Sequence, residues 1–360
     1  MSETERDEVA GLVGDSARRL LRDAGGVGRA RALRFSDPGF DRNMLALMGE
    51  AGWIGLRLPE ARGGVASSAG ALCALCQELG AALAPEPLVA AGLAAALLAA
   101  CSADDARLAA VISGKRFAPV LWQERPDGLD PPAQPGSERL FAPFAFAADA
   151  LLVLVPNEGG FTLVEVDPRD VEFIALRTQD GGQLCTVRPV KAFIGQALGP
   201  LTEAVLAAAL DEAALAAAAT LLGVAEAAFA MTLQYLRTRR QFGQPIGSFQ
   251  ALRHRAADMK IKLELTRASV GSAAAVVDAT RDMGAGRDAV RRAVSRAKAR
   301  AGEATLAIVQ EAIQMHGAIG YTDEHDVGLY LRKAMVLANQ FGSAGWHRGR
   351  VRGLDLRRAA

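Results

Sequence analysis

A chain of 360 residues with 41 Lys and Arg against 40 Asp and Glu carries a net charge of +1. It therefore offers no global electrostatic reason to expect nucleic acid or an anionic membrane as partner, and any anion site must be local. The length exceeds what one hydrophobic core organises, so two or three cooperating domains are expected. Hydrophobic residues make up 51% of the chain but aromatic ones only 5%, so helices must pack closely on small side chains, which points to a large all-α portion.

The first thirteen residues are rich in Glu, Asp and Arg where a secretory leader needs an apolar core, so the expected address is the cytoplasm. Helical periodicity then predicts helices over 5–22, 40–51, 67–83, 88–101 and 103–113, with a turn-rich exception at 53–64. The apolar run 88–101 is only about two-thirds of a bilayer span and reads as a buried helix. Cys73, Cys76, Cys101 and Cys185 are too few and too scattered for a disulfide scaffold and read as reduced thiols. Cys73 and Cys76 form a CxxC, but in an apolar helical frame with no second Cys or His pair nearby, so no metal site is expected.

From Phe117 the texture changes. The short apolar runs 151–155 and 161–166, bounded by Pro156, Asn157, Gly159 and Gly160, predict a small β domain. After Pro200 four long helical patterns follow, over 201–237, 249–283, 288–314 and 322–342, broken at 241–248, 284–286 and 317–320. Short breaks between long helices predict an antiparallel four-helix bundle. The expected organisation is mainly α with a small middle domain: an α-helical domain over 1–115, a shortened β domain over 116–199 and a helical bundle over 200–360.

Two of the breaks carry chemistry. At the first, Arg237, Arg239 and Arg240 are followed by Gln241, Phe242 and Gly243. Cations at a helix C-terminus can merely complement the helix dipole; they can also clamp a phosphate while an aromatic ring covers an adjacent group. At the third break, Gln314, Met315, His316, Gly317, Ala318, Ile319 and Gly320 place two glycines close together. Gly317 can be a simple helix cap, or the glycines can expose backbone N–H groups to a dinucleotide.

The stretch Tyr235–Gln250 followed by His254, Asp258 and Met259, and the Gly-rich stretch Gln314–Tyr321, resemble the two signatures of the acyl-CoA dehydrogenase family. The segment Gly52–Gly64 and the Gln77–Gly80 run are similar to the same family, and the resemblance covers nearly the whole chain. It implies that Arg239, Gln241 and Phe242 contact the adenosine pyrophosphate half of FAD, held mainly by a neighbouring subunit, and that Gln314, Gly317, Ala318 and Ser343 touch the same cofactor. It also implies a homo- or hetero-oligomer that dehydrogenates an acyl-CoA thioester at its α,β bond. A carboxylate removes the α-proton, the flavin takes the β-hydride, and an electron-transfer flavoprotein is the electron acceptor.

The pattern breaks at the base. Aligning Arg332 and the Gly342–Ser343 pair with the family places Phe341 where its catalytic glutamate belongs. The family's second location falls on Ala213, with Glu212 one position and about 100° away; Glu212 reads as a solvated glutamate, or as the base if the register shifts by one. In the middle domain, Pro119–Pro126 stands where active members carry a Thr-Glu-Pro and Gly-Ser segment against the flavin ring, and Trp122 can stack there or lie in the core. His254, His316, His325 and His347 read as structural. Such chains resemble the smaller subunits of two-component acyl-CoA dehydrogenases, which assemble with a homologous chain that supplies the base. A catalytically inactive acyl-CoA-binding partner subunit and a flavin oxidase or monooxygenase on the same fold are the alternatives.

Overall fold

Apolar periodicity and capping place the first helices. The computed structural model describes residues 3–101, 104–281 and 286–359, and opens with α1 (Glu3–Asp23), α2 (Gly26–Leu33), α3 (Arg42–Glu50), α4 (Ala69–Ala81), α5 (Leu88–Ala100) and α6 (Asp105–Ile112). Helix α3 starts where the Asp41 carboxylate accepts the Asn43 amide at 2.8 Å, and α6 where Asp104 accepts that of Ala106 at 2.9 Å; both are N-caps of the ordinary kind. Helix α2 is absent from the expected set, because three glycines within Gly25–Gly28 read as a break. It is braced by Arg31, whose guanidinium donates to Asp326 Oδ1 at 2.7 Å and to the Asp323 carbonyl. Tertiary contact here overrides propensity. Residues 102–103, where the fifth predicted helix begins, and 284–285 in the second bundle break lie outside the described residues.

Seven strands follow: β1 (Val120–Leu121), β2 (Arg139–Pro143), β3 (Leu151–Asn157), β4 (Gly160–Val166), β5 (Val171–Arg177), β6 (Gln183–Pro189) and β7 (Gln196–Leu201). They form a four-stranded sheet in the order β1-β3-β4-β7 and a three-stranded sheet in the order β2-β6-β5. The β3–β4 hairpin pairs Leu151 with Val166 and Asn157 with Gly160. Leu121, Leu151, Val153, Val164 and Val166 of one sheet share a core with Ala142, Val171, Cys185 and Val187 of the other.

The C-terminal part comprises α7 (Glu203–Thr238), a short hairpin β8 (Arg240–Gln241) and β9 (Gln244–Pro245), α8 (Gln250–Arg281), α9 (Arg287–His316), α10 (Val327–Leu337) and α11 (Ala344–Ala359). The fourth expected helix, 322–342, is thus corrected to the 11-residue α10, and a further helix closes the chain. The predicted pattern ran across Phe341 and Gly342, whose φ values of +54° and +92° end any right-handed helix. Helix α7 has the length and apolarity of a membrane span, yet 78% of its most apolar window is buried inside the fold, as in a core helix.

The chain separates into two compact units, one of Met1–Arg31, Ala69–Ala84 and Ala214–Ala360 and the other of Ala32–Ser68 and Pro85–Ala213. In the first, α8, α10 and α11 pack on α9, and α4 packs on α1 and α8. Helices α4 and α7 meet backbone to backbone: a Cβ on Gly80 would lie 2.0 Å from the Thr220 carbonyl, and one on Gly223 1.9 Å from that of Gln77. Small residues at the crossing explain why a chain so poor in aromatics still buries its helices. In the second unit lie the two sheets with α3, α5 and α6.

Candidate functional site

Helix α7 ends in the hairpin β8–β9, where Arg240 pairs with Pro245 and Gln241 with Gln244. Its two-residue turn is Phe242 and Gly243, both left-handed at φ +52° and +79°. Glycine suits that turn and phenylalanine does not; holding Phe242 there costs about 1–3 kcal/mol. Its ring is nevertheless 90% exposed, with one edge-on contact to Phe249 at 6.1 Å. A strained residue offering an apolar ring to the outside is an expectation of something to cover it. The backbone of the arm is fixed by Ile246 N–H donating to the Arg239 carbonyl at 2.8 Å and by Arg240 Nη2 donating to the Gly243 carbonyl at 3.0 Å. Arg237, Arg239 and Gln241 are exposed, and among the described residues neither Arg237 nor Arg239 has an ion-pair partner.

The Gly-rich segment sits beside this arm. Helix α9 stops at His316, and Gly317 follows at φ +67° with no atom within 4 Å of where a Cβ would be. Gln314, Gly317 and Ala318 are all exposed. His316 is buried, donates Nδ1–H to the Ala312 carbonyl at 2.7 Å, stacks on Tyr235 at 4.6 Å and lies 4.6 Å from His325. Burial lowers its pKa, only partly opposed by the Ala312 carbonyl, and His325 lowers it further. Tyr235 lies one turn before the arm on α7, so the Tyr235–His316 stack ties the two motifs into one surface. Sequence reasoning named both motifs but not this link, because 81 positions separate its partners and no local pattern connects them.

The residues available suit the adenosine half of a dinucleotide: unpaired guanidinium groups for a pyrophosphate, an exposed ring, and open glycine backbone. The middle domain is different. Trp122 is buried, and Glu124 is turned inward to accept from the amides of Ala133 and Gln134 at 2.9 and 3.1 Å and from Arg139 Nη1 at 2.9 Å. Arg139 is wholly buried, also donating to the carbonyls of Gln134 and Leu154 and lying 5.3 Å over the Phe193 ring. Pro119–Pro126 and the Pro-rich stretch after it are therefore folded onto their own strands. Neither Glu124 nor Arg139 was expected from the sequence.

Phe341 is half-buried between α10 and α11, and Ser343 Oγ accepts the Trp346 amide at 3.2 Å. A phenyl group cannot take a proton. Glu212 is not the solvated glutamate expected: its Oε2 accepts Arg57 Nε–H at 3.0 Å, and its side chain is 30% exposed. Arg57 also donates to the Ser67 carbonyl at 2.6 Å, so this carboxylate is held as an ion-pair partner. Ala213 beside it is buried. All four cysteines are free and buried, and among the described residues no group of three His, Cys, Asp or Glu could hold a metal ion. His347 is buried and His254 exposed.

Residues 203–352 match the family model of the acyl-CoA dehydrogenase C-terminal domain and residues 11–109 that of the N-terminal domain. Over 335 residues the chain is 31% identical to the acyl-CoA dehydrogenase IpdE2 of Mycobacterium tuberculosis, spanning 91% of this chain and 89% of that protein. Among solved structures, the Tcur3481-Tcur3483 steroid ACAD G363A variant is 30% identical with a TM-score of 0.83, covering 99% of both chains. The ChsE4-ChsE5 complex from Mycobacterium tuberculosis is 26% identical with a TM-score of 0.84, covering 100% of this chain and 98% of that one.

Proposed function

Since the chain belongs to the acyl-CoA dehydrogenase family, whose cofactor is FAD, we propose that it is the smaller subunit of a two-component acyl-CoA dehydrogenase. In this reading it builds part of a FAD site while a homologous partner chain supplies the carboxylate. The observation that carries it is the separation of binding from proton transfer. The arm with Arg239, Gln241 and Phe242 stands exposed beside Gln314, Gly317 and Ala318, whereas Phe341 falls where alignment with the family expects the base and Glu212 is tied to Arg57. Likeness to a steroid ACAD and to a complex of two named chains supports both a hetero-oligomer and a bulky, ring-containing acyl group.

Bound FAD supplies the acceptor for a β-hydride, with an electron-transfer flavoprotein as the onward acceptor. This chain's own residues do the rest of their work by holding. Arg239 offers bidentate charge-assisted bonds to a phosphate. Phe242 covers an adjacent face, and the open backbone at Gly317 allows close approach of a ribose or phosphate. Phe341 excludes water and leaves the α-proton to a carboxylate from elsewhere.

The test is to purify the chain alone and co-expressed with a homologue carrying a glutamate at the matching position. Anaerobic mixing with an acyl-CoA thioester is expected to bleach the flavin of the co-purified assembly and to perturb, without bleaching, any flavin bound to the chain alone. Rapid bleaching by the homogeneous chain would overturn the reading.

A further inference from the structure

Lys298 is wholly buried in α9, and its Nζ donates to the carbonyls of Ala338 and Gly342, both at 2.9 Å. One turn earlier on α9, Ser295 is also buried, and its Oγ lies 3.1 Å from His347 Nδ1. His347, on α11, places Nε2 2.8 Å from the Phe341 carbonyl. A carbonyl only accepts, so Nε2 carries the proton; neutral imidazole then leaves Nδ1 to accept the Ser295 hydroxyl. Arg350 Nη1, 3.4 Å from that hydroxyl oxygen, is placed to donate to it. Three carbonyls of the six-residue segment between α10 and α11 are thus held by side chains of α9 and α11. At Gly342 a Cβ would lie 2.9 Å from His347 Nε2, so nothing but glycine lets the imidazole come this close.

The segment so held includes Phe341 at φ +54°, a conformation that a phenylalanine does not adopt by preference. Lys298 and His347 hold this backbone directly, and Ser295 acts on it through the imidazole. They set where the side chain of residue 341 is delivered, whatever that side chain is. We propose that Lys298 and His347, with Ser295 orienting the imidazole, are positioning residues for position 341. Its meaning for catalysis rests on the reading that this position faces the acyl group; the clamp itself does not.

The full chain, labelled with 4-fluorophenylalanine, gives a fluorine resonance for each of 13 phenylalanines, and that of residue 341 is identified by its loss in Phe341→Leu. In His347→Leu and Lys298→Met the 341 resonance is expected to shift toward the unfolded-chain position and broaden, with those of Phe40, Phe117 and Phe144 unmoved. His347→Gln, which can keep an N–H donor for the Phe341 carbonyl, is expected to return it. An unchanged 341 resonance in both disruptive variants overturns the proposal. Should those two variants lose all dispersed resonances, Ser295→Ala decides: the proposal requires a selective shift at 341, and a static resonance overturns it. None of these spectra depends on flavin reduction, so the clamp and the functional reading can fail separately.

Discussion

Arg237 and Arg239 are both exposed and only two residues apart, yet Arg237 still belongs to α7 while Arg239 starts the arm. If the arginines served only the helix dipole, removing either would have a similar, small effect. A bidentate phosphate contact is worth about 1.5–3 kcal/mol, or one to two decades in affinity. Arg239→Ala is therefore expected to purify with clearly less FAD than Arg237→Ala, as read by flavin absorbance per chain. Phe341→Glu is expected to give the chain some autonomous flavin reduction, since a positioned general base contributes about 10² to 10⁴-fold. At Glu124, burial works against the charge, but the Ala133 amide, the Ser137 hydroxyl, the Gln134 amide and Arg139 together hold its carboxyl below the ordinary 4.5. Its contribution is present above about pH 4.5 and is lost as pH falls through the lower folded value. Glu124→Gln should destabilise the protein by about 2 kcal/mol at neutral pH and flatten the acid limb of its stability profile in chemical denaturation.

At the level of elements, the β8–β9 arm spends conformational energy to expose an aromatic ring. Phe242→Gly relieves the left-handed strain, so its melting temperature is expected to stay level or rise while FAD retention falls. A fall in both would instead make Phe242 part of the chain's own packing. What made this arm legible in sequence was composition: an Arg cluster, an aromatic and a glycine at a helix end. The same local logic found α3 to α7 and the β3–β4 hairpin. It lost α2, where three glycines outvote a tertiary anchor at Arg31, and it lost the break at Phe341, where left-handed geometry is imposed on a non-glycine residue by partners on α9 and α11. The Tyr235–His316 stack, the Arg57–Glu212 pair and the Glu124–Arg139 pair were illegible for a related reason, since each joins residues whose spacing fits no helical or strand period.

For the molecule as a whole, α8 exposes Ile261 and Leu265, 58% and 49% accessible, on a face shared with exposed Ala257 and Ala268. Apolar residues at helical spacing left outside a fold mark an association surface. Sedimentation well above the 37.7 kDa of one chain is expected, and Ile261→Asp with Leu265→Asp should reduce it with helical content retained. The make-up of the first unit has another consequence, which concerns the order in which the protein is made. Its N-terminal pieces, Met1–Arg31 and Ala69–Ala84, are synthesised long before the residues of α8 and α9 that complete their core. At 5–20 residues per second the ribosome needs about 10 to 40 s to add the roughly 200 residues between the end of α4 and the end of α8. During that interval the second unit can already be whole, while the apolar faces of α1 and α4 have only each other and, once it is made, α7 to cover them. A nascent chain stalled before α8 is therefore the species most exposed to chaperone capture and to aggregation.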